Sequence, residues 1–133
     1  MMKRVLIVDD NIYVRDLLHT FLKDASEIEI CGEAINGAEA IEKAKQLKAD
    51  VVLLDLAMPS MNGVEAASIL KKTIPGVSVI MFTMYSENIP KSALSSMGVD
   101  VVLSKTDGIA HLIESINTIF AARASGHPPS NPD

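Results

Sequence analysis

The chain has 133 residues, of which 48% are apolar and 22% charged, with a formal net charge of -5. That length and balance suit one domain able to bury its own core, and the acidic sign excludes a basic footprint for nucleic acid or for an anionic membrane face. No apolar run is long enough to span a bilayer, no signal-peptide pattern opens the chain, and a single cysteine, Cys31, excludes an internal disulfide and suits a reducing cytoplasm.

In chain order, the first apolar run covers residues 5–8. It is nearly continuous, which predicts a strand buried on both faces. Val14, Leu17, Leu18, Phe21 and Leu22 then follow helical spacing, with Arg15, Asp16, His19 and Lys23 off the stripe. Residues 27–31 alternate polar and apolar, as a half-exposed edge strand would. Asn36 with Glu39 marks a helix start, followed by Ala40, Ile41, Ala44 and Leu47. A second continuous run, 51–54, ends at Asp55, and Asn62-Gly63 opens a weaker helical pattern through Leu70. A third run spans 77–82. Ile89, Ala93, Leu94 and Met97 give a short helix stopped by Gly98. A last run, 99–103, precedes the longest pattern, Ile109, Leu112, Ile113, Ile116 and Phe120. Five alternations of strand and helix predict an α/β domain over residues 1–124 with a parallel sheet and right-handed crossovers. Residues 125–133, rich in proline, glycine and serine, have no apolar face and read as a disordered tail or the start of a linker.

In open parallel sheets, ligands bind outside the carboxyl ends of the strands. There the chain places Asp9 and Asp10, Asp55, Thr83, and Lys105 behind Ser104. Each alone has an ordinary use: Asp9 or Asp10 as a helix cap, Thr83 or Ser86 likewise, Asp55 as an acceptor of turn amides, Lys105 as a solvated lysine. Together they are harder to dismiss, because three crowded carboxylates repel one another unless a cation or protons neutralise them. Hard oxygen ligands with no competing Cys/His set favour Mg²⁺ or Mn²⁺, whose open positions take phosphate oxygens; Lys105 and Thr83 then offer a cation and a donor to one phosphoryl group.

The ordered stretches "VLIVDD", "LLDLAMPSMNG", "MFTMYS" and "LSK" resemble the receiver domain of bacterial two-component response regulators over roughly residues 3–122. The stretch "TIPGVSVIMFTMYSEN" is most similar to receivers that precede a LuxR-type helix-turn-helix. The resemblance implies a flavodoxin-like, doubly wound five-stranded parallel sheet of order 2-1-3-4-5 with five flanking helices. It implies that Asp55 is a phosphoacceptor served by a sensor histidine kinase. Mg²⁺ would be held by Asp10, Asp55 and the Ala57 backbone carbonyl, with Asp9 acting through water. Lys105 would pair with phosphoryl oxygens, and Thr83 would turn its hydroxyl toward them. Such a chain is a regulator rather than an enzyme on a separate substrate, catalysing its own phosphoryl transfer and dephosphorylation. It is cytoplasmic and touches neither membrane nor, by itself, nucleic acid. Phosphorylation would act through a homodimer, built on the first and fifth helices or on the face of the fourth helix and fifth strand, to control a DNA-binding output module; the alternative is a stand-alone receiver that works by docking.

The sequence departs from the family at Val102, where an aromatic residue usually stands three positions before the lysine, and at Thr106, in place of a frequent proline. Ala57 and Tyr85 hold positions that tune phosphate lifetime in the family. Other classes fare worse. A flavin-binding flavodoxin needs a Ser/Thr/Gly-rich first loop rather than Asp9-Asp10-Asn11. A phosphatase of the haloacid dehalogenase type wants an acid at position 57, which is alanine. A degenerate receiver used only for docking is opposed by the intact acid set.

Overall fold

The computed structural model describes residues 2–58, 61–84, 89–106 and 108–124. Pro59, within the stretch "LLDLAMPSMNG", and Tyr85 and Ser86, both named above, lie outside the described residues, as does the 125–133 tail.

The elements run β1 (Lys3–Val8), α1 (Ile12–Leu22), β2 (Ile28–Ala34), α2 (Gly37–Gln46), β3 (Val51–Leu54), α3 (Gly63–Thr73), β4 (Ser78–Thr83), α4 (Leu94–Met97), β5 (Val101–Ser104) and α5 (Leu112–Ala124). Short 3-10 turns, Lys91–Ala93 and Gly108–His111, lead into α4 and α5. All strand pairs among the described residues are parallel, in the order β2-β1-β3-β4-β5. This is the expected doubly wound sheet.

The continuous apolar runs are explained by burial on both faces. Leu6, Val8, Val52, Leu54, Val79 and Met81 pack under α2, α3 and α4. Val5, Ile7, Val51, Leu53, Ile80 and Phe82 alternate with them and pack under α1 and α5. Alanines at 40, 44, 66 and 67 let α2 and α3 lie close to the sheet. Asn36 and Asn62 cap α2 and α3, their side chains accepting from the N–H groups of Glu39 at 2.8 Å and Glu65 at 3.0 Å.

Several boundaries move. The run 77–82 becomes Ser78–Thr83, because Val77 turns its N–H back to the Ile74 carbonyl; Thr83 therefore belongs to the sheet instead of following it. The run 99–103 becomes Val101–Ser104, since the Val99 N–H closes α4 on the Leu94 carbonyl. Glu27 has a φ of 64°, a turn conformation, so β2 starts at Ile28 and extends to Ala34. Its register against β1 slips between Val5 and Leu6, which face Ile30 and Gly32, so Cys31 is skipped. Ile109 falls in the 3-10 turn ahead of α5. The predicted α1 stripe is only half covered: Leu18 and Leu22 are buried, while Leu17 is 56% exposed and Phe21 37%.

Candidate functional site

Strand ends bring the polar residues together. The Asp9 N–H donates to the Ala34 carbonyl at 3.1 Å, tying the end of β1 to β2. The Asp55 N–H donates to the Val8 carbonyl, also at 3.1 Å, because β3 lies beside β1. One carboxylate oxygen from each of Asp9, Asp10 and Asp55 lies within 4.8 Å of the others. Asp9 is 2% exposed and Asp55 6%, while Asp10 stands at the open rim. The helix-cap reading of the two acids fails: Asn11 caps α1, its Oδ1 accepting from the Tyr13 N–H at 2.9 Å.

Lys105 reaches in from the end of β5. Its ammonium lies 2.6 Å from Asp9 Oδ2 and 3.3 Å from Asp55 Oδ2. Its backbone N–H donates to the Thr83 carbonyl at 2.9 Å, so Thr83, fully buried at the tip of β4, is joined to the same cluster through the backbone. Among the described residues, Lys105 alone pairs its charge with these carboxylates. Burial pushes the Asp55 carboxyl above its ordinary range, and the charge of Asp9 adds to this; Lys105 and the Ala57 N–H, which donates to the carboxylate, act the other way. For Lys105, burial favours the neutral amine, but the Asp9 hydrogen bond and the charges of Asp55 and Asp9 outweigh it, and its pKa ends above normal.

Ala57 is exposed in the loop after β3, and Val102 sits half-buried within β5 against the α2–α4 side of the core. Two contacts could not be read from the sequence. Gly63, at the start of α3, donates to the Leu56 carbonyl at 2.8 Å; a Cβ there would collide with the Asp55 carbonyl oxygen and come within 2.8 Å of the Leu56 Cα. Arg15, set aside as off the apolar stripe, donates from Nη1 to the Asp9 carbonyl at 2.6 Å and from Nε to Glu33 Oε1 at 3.0 Å.

The model of the family described as response regulator receiver domain matches residues 5–117. The chain belongs to that family. A response regulator protein VraR from Staphylococcus saprophyticus is 38% identical over 117 residues, a match covering 88% of this chain and 56% of that protein. The chain therefore spans about half the length of the curated relatives it matches. Among solved structures, the response regulator domain of Thermotoga maritima CheB superposes with a TM-score of 0.80 at 30% identity, covering 88% of this chain and 95% of that one. A CheY-like receiver domain protein from Methanospirillum hungatei gives 0.80 at 27% identity, covering 95% and 99%. This receiver domain is thus a two-component regulator module, and no helix among its described residues is long and apolar enough to cross a membrane.

Proposed function

We propose that Asp55 is the phosphoacceptor and that it takes its phosphoryl group from the phosphohistidine of a sensor kinase in the cytoplasm. The observation that supports this most is the clustering of three carboxylates, two of which, Asp9 and Asp55, share the Lys105 ammonium, with Asp55 buried and 3.3 Å from it. A carboxylate oxygen of Asp55 attacks phosphorus; the P–O bond forms, the P–N bond breaks, and the imidazole takes up a proton as it leaves. Positioning and charge neutralisation carry most of such a transfer. Lys105 offsets charge on the phosphoryl oxygens, and the Thr83 hydroxyl turns to donate to one of them. Hydrolysis of the acyl phosphate then ends the signal, with Ala57 and Tyr85 setting access for water.

The donor set fits a hard divalent cation: three carboxylate oxygens within 4.8 Å, with no Cys or His among them. Asp10, Asp55 and the Ala57 carbonyl would hold Mg²⁺ or Mn²⁺, with Asp9 acting through water. When bound, the cation supplies charge neutralisation for the phosphoryl group.

The phosphorylated form would act through dimerisation on α1 and α5, or on the face of α4, β5 and α5, to control a DNA-binding output module. Ile12 and Leu17 stand uncovered on α1, which favours the first surface. Val102 in place of an aromatic residue shifts the burden of switching from a ring rotation to movement of the backbone that joins Thr83 to Lys105.

Beryllofluoride with Mg²⁺ should bind the unmodified chain, and Asp55→Asn should abolish that binding. Acetyl phosphate should add one phosphoryl mass to the same residue. If neither reagent gives a Mg²⁺-dependent change, the phosphoacceptor reading falls.

A further inference from the structure

We infer that Arg15 is a positioning residue for the divalent cation, holding the Asp9–Asp10 peptide so that the Asp10 carboxylate converges with those of Asp9 and Asp55. This rests on the cation-site reading above.

Convergence of the three acids depends on how Asp10 is aimed. Among the described residues, no hydrogen bond or ion pair holds the Asp10 carboxylate, so what the protein fixes is the start of the side chain, its Cα–Cβ bond, through the backbone. Asp9 next to it is tied at every other polar atom. Its N–H donates to the Ala34 carbonyl, its Oδ1 accepts from the Asn11 N–H at 2.9 Å, and its Oδ2 takes Lys105. The remaining atom, the carbonyl oxygen, belongs to the peptide that leads into Asp10, and Arg15 Nη1 grips it at 2.6 Å. Arg15 is itself anchored by Glu33 on β2, its side chain is only 13% exposed, and one planar guanidinium serves both acceptors. A lysine offers one compact ammonium and cannot reproduce both directed bonds. His19 lies 3.8 Å from the other Glu33 oxygen and completes the group facing Arg15.

Geometry and electrostatics predict opposite signs here. Removing the Arg15 charge leaves Glu33 uncompensated near the acids, which by charge alone would tighten Mg²⁺ binding. Loss of positioning weakens it, and partners that orient ligands from behind typically contribute about tenfold or more in metal affinity.

The test is calorimetric titration of Mg²⁺ into the whole chain, with melting curves recorded for each variant. Arg15→Ala is expected to weaken Mg²⁺ binding about tenfold. Arg15→Lys, which keeps the charge and is the gentler change should alanine not fold, is expected to weaken it too. Equal or tighter Mg²⁺ binding by either folded variant overturns the inference. Failure of the wild-type chain to bind Mg²⁺ overturns the cation-site reading itself, and the inference with it.

Discussion

Asp55 is held in a place that opposes its charge. Burial and Asp9 together raise its carboxyl above the unfolded value of 3.8, so the folded state keeps the proton longer than the unfolded chain does. The native state binds more protons across that window, and stability falls as pH climbs from about 3.8 through the raised folded value. Asparagine carries no charge and is spared this penalty. In chelator, Asp55→Asn should therefore melt at a higher temperature than wild type at neutral pH, with the advantage fading toward acid pH. Thermal melts across that range check this, and an advantage constant with pH would contradict it. At this scale the sequence was informative wherever a residue's place follows from a strand end: Asp9, Asp10, Asp55, Thr83 and Lys105 could be brought together without coordinates. Arg15 could not, since its work depends on where a long side chain on α1 ends, and spacing along a helix does not report that.

The elements were legible where pattern and burial coincide, and blurred where a neighbour decides. Asn36 and Asn62 announced their helices because capping is a local interaction. The α1 stripe looked like a buried face, yet α1 leaves Leu17 and Phe21 partly in solvent. Periodicity shows that a stripe exists and not whether the sheet is wide enough to cover it. Gly63 read as a helix opening, while its demanding property is closeness. The first turn of α3 lies against the Asp55–Leu56 backbone with no room for a methyl group. Gly63→Ala should cost about 2–3 kcal/mol, as overpacking does. Because the collision is with the Asp55 backbone, it should also weaken Mg²⁺-dependent beryllofluoride binding beyond what the lost stability explains. Denaturant titration alongside ligand binding separates the two effects.

Across the whole molecule, the end of the sheet opposite the acids is pinned by two similar aspartates. Asp50 precedes β3 and Asp100 precedes β5, each followed by Val-Val-Leu. Asp50 accepts from the Arg4 N–H at 2.9 Å and returns its own N–H to the Arg4 carbonyl at 2.8 Å. Asp100 does the same with Val79, at 2.8 Å and 2.9 Å, and also takes Lys71 at 2.7 Å. These pairs fix the level of β3 against β1 and of β5 against β4 where the strands begin. Asp100→Ala leaves the Val79 N–H without its acceptor and should destabilise by about 1–3 kcal/mol. Asp100→Asn keeps an acceptor and should cost less in the same urea titration. The parallel sheet was readable because alternating strands and helices admit few topologies, while its order 2-1-3-4-5 came from the resemblance to receiver domains. The pinning was not, since an aspartate before a strand looks like any turn residue until its neighbour strand is known.

The skipped Cys31 gives the sheet a change of parity. Upstream of it, Ile30 stands opposite Val5; downstream, Glu33 stands opposite Ile7, on the face that α1 covers. Without the extra residue, Glu33 would pair with Val8 and point to the other side of the sheet, where Arg15 does not reach. One uncounted residue near the middle of β2 thus decides which helix can answer Glu33, and through that helix how firmly the mouth of the acid pocket is held.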